Sequence, residues 1–330
     1  MKAFKALVIV GVLAGVATVA AGVPAFRPVL GIWLPYAAAA LFLAGMVRRV
    51  VCWGRSPVPF RIPTVCGQQR SLPFLPHQPL ESPYTGWQAA ARVAGEVLLF
   101  RSLFRNTRTE LTRKKRLAYL PSKLLWAAAL AFHASLAVIV FRHLRFFLEP
   151  VPSCVRFVER MDGLFQVLVP AVMVTDAVIL LALLYLLGRR LLDLRLRYLS
   201  LPADYVPLFL LLGIVGTGIA MRYIWKVDLI AVKELAVGLA TFHPAVPDGT
   251  GALFLVHLAL VSVLFAYFPF SKLVHMGGVF LSPTRNLANN SRARRHVNPW
   301  NRPVDVHTYE EWEEEFRDKL VACGLLPEEE

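Results

Sequence analysis

Four of the eight histidines sit where imidazole chemistry is expected. His133 and His143 belong to one strongly apolar stretch, and His257 and His275 belong to another. An ionisable side chain in a membrane-spanning helix is costly and usually functional. One such histidine is ordinarily a hydrogen-bonded packing residue, whereas two on each of two helices suggest metal ligation. On an unbroken helix, His257 and His275 are five full turns apart and share a face. His133 and His143 differ by roughly 80° about the axis, which still lets both face one neighbour. If the two helices run antiparallel, His133 pairs with His275 and His143 with His257. Each pair can then clamp one haem iron through imidazole nitrogens, leaving no open position for oxygen. The levels do not match perfectly: the first pair spans roughly 15 Å of helix and the second roughly 27 Å. Pro269 can kink the second helix and absorb part of the difference. Structural histidines, or a proton path in a haem-free transporter or scaffold, remain the alternatives.

Arg142 and Arg145 flank His143. They fit either pairing with haem propionates or a quinol headgroup, through the guanidinium fork, or snorkelling to the lipid interface. Asp176, placed in mid-helix by the apolar pattern, fits either a proton relay or an interhelical hydrogen bond.

The elements that must hold these residues are long apolar helices. Residues 6–23, 29–47, 124–141, 164–187, 205–221 and 252–270 are each close to the ~20 residues needed to cross a bilayer, and only the fourth contains a charge, Asp176. The expected fold is therefore an all-α integral membrane protein with six transmembrane helices. The net charge of +14 could suggest nucleic acid, but its distribution points to a membrane instead. Basic residues crowd alternate loops: Arg48, Arg49 and Arg55; Arg101 through Lys123; Arg189 through Arg197; and Arg285 through Arg295. Cytoplasmic loops carry such an excess, which places both termini in the cytoplasm. The first run is read as a retained helix, although Lys2 and Lys5 before it and small residues after it also suit a cleaved signal peptide.

Cys52, Cys66, Cys154 and Cys323 include no C-x-x-C pair, which argues against a zinc site, a self-contained iron–sulfur cluster or covalent haem. A proline-rich polar stretch follows the second run, and an amphipathic surface helix is expected from Trp87 to Phe104. Residues 227–242, interrupted by Lys233 and Glu234, read as an interfacial or re-entrant helix on the outer side. Near the end, Thr308 and Glu311 form a capping-box signal. Trp312, Phe316 and Leu320 then repeat along one helical face, with Gly324 as the stop.

Two segments carry a resemblance. The run from His257 to His275, ending F-P-F-S-K-L-V-H, resembles the last haem-bearing helix of respiratory nitrate reductase gamma subunits. The F-H spacing to His143 and, less diagnostically, T-F-H at Thr241–His243 are similar to that family too. This likeness covers roughly residues 29–280. It implies a five-helix diheme cytochrome b bundle holding two haem b groups, with His143 and His257 on the outer haem and His133 and His275 on the inner. The extra first helix, the proline-rich loop and the tail, N-P-W-N-R-P-V-D-V-H-T-Y-E-E-W-E-E-E-F-R-D-K-L, depart from that pattern and resemble the DsrM family. Those are the cytochrome b subunits of sulfite-reduction-associated DsrMKJOP complexes.

The expected organisation is an extra transmembrane helix in 1–28, the first bundle helix in 29–48, a cytoplasmic proline-rich loop with an amphipathic helix in 49–121, the diheme core in 122–280 and a cytoplasmic tail in 281–330. The resemblance implies menaquinol as substrate and a cytoplasmic iron–sulfur partner resembling DsrK. It further implies a wider complex with a periplasmic cytochrome c and other membrane and iron–sulfur subunits. The expected role is electron transfer in the cytoplasmic membrane, as a quinol-oxidoreductase subunit of a larger respiratory complex. Quinol oxidised at the outer haem would release protons outside and send electrons inward. The competing role is the gamma subunit of a nitrate-reductase-type molybdoenzyme.

Overall fold

The computed structural model describes residues 1–56, 67–111, 117–163, 172–282, 284–290, 294 and 306–325. Several features of the sequence reading lie outside these residues: Cys66 and three of the loop prolines, the basic run 113–116, the first part of the fourth apolar stretch, and tail residues 295–305.

Among the described residues, five helices are long and apolar enough to cross a membrane. They are α1 (Lys2–Gly22), the continuous run Pro24–Arg55 whose main part is α2 (Leu34–Arg55), α5 (Lys123–His143), α9 (Pro202–Tyr223) and α11 (Ala252–Tyr267), which extends through a 3-10 turn to Phe270. α7 (Val174–Leu192) is nearly as long but carries Asp176 in its first turn and Arg189 and Arg190 in its last. This corrects the mid-helix position expected for Asp176. The helix begins only at Val174, and a carboxylate there meets the positive end of the helix dipole.

α9 lies at the centre, against α1, α7 and α11; α5 packs on α7 and α2 on α11. α1 joins through Ala6, Val10, Ala17 and Ala21, all buried on one face. Small side chains let helix backbones approach closely where lipid gives no hydrophobic drive to association. The outward faces remain apolar and exposed, as at Leu7, Val12, Val16 and Val19, which suits contact with acyl chains. Side-chain ties define two ends. At one, Lys2 Nζ donates to the Tyr198 carbonyl at 2.9 Å, in the short helix α8 (Leu194–Leu199), and Arg49 Nε donates to the Pro269 carbonyl at 2.9 Å. At the other, Arg27 donates to the Thr250 carbonyl and Tyr223 donates to Asp176.

The segment expected as loop plus one amphipathic helix is more structured. Thr85 and Gln88 form a capping box that starts α3 (Gly86–Leu99). At Phe100 the backbone turns left-handed, with φ 49°, and α4 (Arg101–Arg105) follows. The single helix expected through Phe104 is therefore broken. An antiparallel hairpin, β1 (Thr107–Leu111) with β2 (Leu117–Pro121), then leads into α5. The helical periodicity before it and the basic run within it gave no strand signal. The short helices α6 (Ser153–Asp162) and α10 (Leu229–Ala240) sit beyond the far ends of the long ones. α10 is bonded to α2 through Tyr36 and the Leu239 carbonyl at 3.0 Å. In the tail, Thr308 and Glu311 make the expected capping box of α13 (Tyr309–Ala322), and Gly324 adopts φ 75° just past it.

The unbroken helix assumed from His257 to His275 is overturned. α11 stops at Tyr267, Phe268–Phe270 is a 3-10 turn, and Ser271 is extended at φ −112°, ψ 177°. Proline cannot donate to the helical ladder and clashes with the preceding turn. A second 3-10 turn, Lys272–Val274, leads to the four-residue helix α12 (His275–Gly278). The five-turn phase argument therefore does not apply to this pair.

Candidate cofactor-binding site

At the basic end, the rings of His133 and His275 lie 6.1 Å apart between centroids, with their planes 80° apart. Two imidazoles bonded to one metal from opposite sides, each at about 2 Å, place their ring centres about 6 Å apart. The Nδ1 of His133 meets the Ala129 carbonyl at 2.8 Å, and that of His275 meets the Lys272 carbonyl at 2.8 Å. A carbonyl can only accept, so both Nδ1 atoms carry the proton and Nε2 is left as the free nitrogen. Metal-ligating histidines are typically oriented in this way.

The second pair repeats the logic at the other end. His143 Nδ1 donates to the Ile139 carbonyl at 2.7 Å. His257 Nδ1 lies 2.8 Å from the Thr217 hydroxyl, which itself donates to the carbonyls of Gly213 and Ile214. The hydroxyl proton is thereby engaged, and its oxygen accepts from His257. His143 and His257 do not make the ring contact of the first pair. The carbonyl-bonded Nδ1 of His133, His143 and His275 is not unique to them, because His243 makes the same bond to Thr241. Contact with another imidazole is what sets His133 and His275 apart. Among the described residues, no group of three or more His, Cys, Asp or Glu side chains could hold a metal ion. The imidazoles suit a cofactor that supplies its own further ligands, and in chemistry and spacing the His133–His275 pair fits bis-histidine haem.

The surroundings include residues that sequence reasoning missed. Phe100 and Phe132 present ring edges to His133, each at 4.9 Å. Phe100 is the left-handed residue between α3 and α4. A non-glycine residue rarely holds that conformation unless its surroundings fix it. They do so here: Trp126 Nε1 donates to the Leu99 carbonyl at 2.8 Å and packs on Phe104 at 4.8 Å. The polar segment is thus clasped to α5 beside His133.

Beside His143 lies a buried charged network. Arg142 pairs with Asp162, donates to the Thr175 hydroxyl at 3.1 Å and lies 3.6 Å from Asp176. Asp162 also accepts from the Thr175 amide at 2.9 Å and hydroxyl at 2.6 Å. Tyr223 donates to Asp176 at 2.9 Å and accepts from the Met173 amide at 2.9 Å. Four helices are joined in this way directly next to His143. Arg145 pairs with Glu159 of α6. Both arginines singled out from the sequence therefore have carboxylate partners within the chain, and Asp176 makes an interhelical hydrogen bond.

With that geometry in view, the comparisons with known proteins are specific. Residues 85–294 match the nitrate reductase gamma subunit family. The chain is 46% identical over 285 residues to the Hdr-like menaquinol oxidoreductase cytochrome b-like subunit of Archaeoglobus fulgidus, covering 84% of this chain and 85% of that one. It is 44% identical over 276 residues to the protein of the same description from Archaeoglobus profundus, covering 81% of each. The match starts later than the likeness read from the histidine motifs and takes in the clasped segment from Thr85 onward. All four imidazoles lie inside it, within a bundle built of helices long enough to cross a bilayer. The chain is a multi-pass membrane protein, and it belongs to the nitrate reductase gamma subunit family.

Proposed function

We propose that the chain is a membrane diheme cytochrome b, the subunit that connects a menaquinol pool to a cytoplasmic iron–sulfur protein. The observation that carries this reading is the pair of imidazole couples at opposite ends of one bundle, each ring with Nδ1 engaged and Nε2 free. His133 and His275 hold the inner haem b, and His143 and His257 the outer. Haem bound at these positions would supply one-electron relays. Six crossings are assigned, with α7 as the sixth, and the basic end with both termini is cytoplasmic by the positive-inside rule.

What the chain's residues do follows from their contacts. Ala129, Lys272, Ile139 and Thr217 fix the imidazole tautomers. Phe100 and Phe132 pack against His133 and restrict water there. At the outer end, Arg142 and Arg145 stand where quinol or a propionate is bound, and their carboxylate partners keep them in place. The A. fulgidus and A. profundus proteins are named as menaquinol oxidoreductase subunits, which supports menaquinol as the donor. The tail and the extra first helix support the closer assignment to DsrM-type subunits of dissimilatory sulfur metabolism, within a complex that includes a DsrK-like iron–sulfur subunit and a periplasmic cytochrome c.

A reduced-minus-oxidised absorption spectrum of the purified chain tests the reading. Haem b bands with two haems per chain, reducible by menaquinol, are expected; their absence rejects it. Sidedness has its own test. A structure with a quinol-site inhibitor should place the headgroup near His143 and His257, and density beside His133 or His275 rejects the outer placement.

A further inference from the structure

We propose that Asp204 positions His275 through Lys272, so that α9 sets the ligand geometry at both ends of the bundle. The inference rests on the ligand reading above. Because the helix ladder breaks at Pro269, His275 is not registered to His257 by helical phase. Something outside α11 must hold it.

The Lys272 carbonyl accepts His275 Nδ1–H at 2.8 Å. The Lys272 ammonium donates to Asp204 at 2.6 Å. Asp204 lies in the first turn of α9, and its side chain is 8% exposed. Its other oxygen accepts the Leu201 amide at 2.9 Å and lies 3.9 Å from Arg190. The carboxylate is thus locked to its own helix before it meets Lys272. Tyr267, the last residue of α11, also reaches α9 by donating to the Ala203 carbonyl at 3.4 Å.

From the opposite side, α2 closes on the break. Arg49 holds the Pro269 carbonyl, and a Cβ on Gly45 would come within 2.6 Å of the Pro269 ring. One turn of chain, Ser271–Val274, is left to orient the imidazole, and its one charged side chain is Lys272. α9 also carries Thr217, which fixes the tautomer of His257. Asp204 and Thr217 therefore reference the two imidazoles that follow α10 to a single rigid helix. Histidine partners beyond the metal's own ligands orient the ring and tune the site.

The Lys272 side chain is 77% exposed. Such a pair adds little to folding, so Lys272→Gln should leave the bundle intact and isolate geometry. The test uses the haem-loaded full chain and reads the ferric low-spin paramagnetic resonance spectrum, with the inner signal identified by its loss in His275→Ala. Lys272→Gln and Asp204→Asn should each shift or broaden the inner signal while leaving the outer one unchanged. Asp204→Glu should keep most of the wild-type line shape. An unchanged inner signal in Lys272→Gln overturns the proposal, and so does equal disturbance of both haems. A shift in Asp204→Asn alone also overturns it, since Asp204 would then act by another route. If Asp204→Asn fails to accumulate, Lys272→Gln decides. Should His275→Ala retain both haems, the ligand reading itself fails. Should His275→Ala lose one haem while Lys272→Gln is silent, only the positioning role fails.

Discussion

The imidazole planes of His133 and His275 stand 80° apart at a centroid separation of 6.1 Å. Axial rings at right angles destabilise two iron d orbitals equally and leave them nearly degenerate. If these two rings hold one haem as proposed, its ferric form is expected to give a strongly anisotropic low-spin resonance signal. A rhombic signal typical of parallel rings would show that the rings reorient when the site is filled.

Haem content tests the four ligands together. On the proposed diheme reading, replacing His133, His143, His257 or His275 by alanine should remove or severely perturb one haem, leaving about half the pyridine haemochrome yield, because one iron would lose one of the two imidazoles that hold it. Replacing His77, His296 or His307 should leave the yield unchanged. Four single variants with unaltered low-spin haems would reject the assignment.

Thr217 is expected to matter through His257 alone. Thr217→Val keeps the shape but removes the oxygen that accepts Nδ1–H. Losing such a partner costs about 10–100-fold in affinity or activity at metal sites. Titration of the outer haem's affinity and potential should show the change, with the inner haem as control.

The Arg142 network should behave as a buried charge cluster. The side chains of Arg142 and Asp162 are 12% and 3% exposed. Arg142→Ala leaves Asp162 and Asp176 without their cation and should cost about 3–5 kcal/mol of stability, together with altered outer-haem potential or quinol turnover. Thermal unfolding of the variant in detergent measures this. An unchanged midpoint would mean that the Arg142 pairs contribute nothing net to stability.

The tail should act in partner binding. In α13, Tyr309, Trp312 and Phe316 form a ladder of rings at 6.0 and 5.7 Å, and Trp312 is 43% exposed. A helix this short is marginal in water by itself, so its aromatic face is expected to pack on the iron–sulfur subunit near the inner haem. Truncation after Arg295 should keep both haems and their reduction by quinol, while releasing the partner during purification. Retention of the partner, with unimpaired transfer to its cluster, would reject the docking role.

Much of the architecture was legible from composition and spacing. A ~20-residue apolar run in lipid must satisfy its backbone internally, which makes it a helix whatever its neighbours are. The bounds of α1, α5 and α9, and the span Ala252–Phe270, accordingly lie close to the apolar runs. Charge asymmetry read the same grouping of ends that Lys2, Arg49 and Arg190 make through their contacts. The capping box of α13 was local and therefore visible. Tertiary structure alone decided the rest. Pro269 announced a kink, but which residues the chain meets after it, Gly45 of α2 against the Pro269 ring and Asp204 of α9 against Lys272, depended on partners far away in sequence with no shared periodicity. The partners of Arg142 and the role of Thr217 were hidden for the same reason: a hydrogen bond between helices depends on rotation and depth, which hydropathy does not record. The left-handed turn at Phe100 had no glycine to mark it, because packing against α5 and His133 holds it in place.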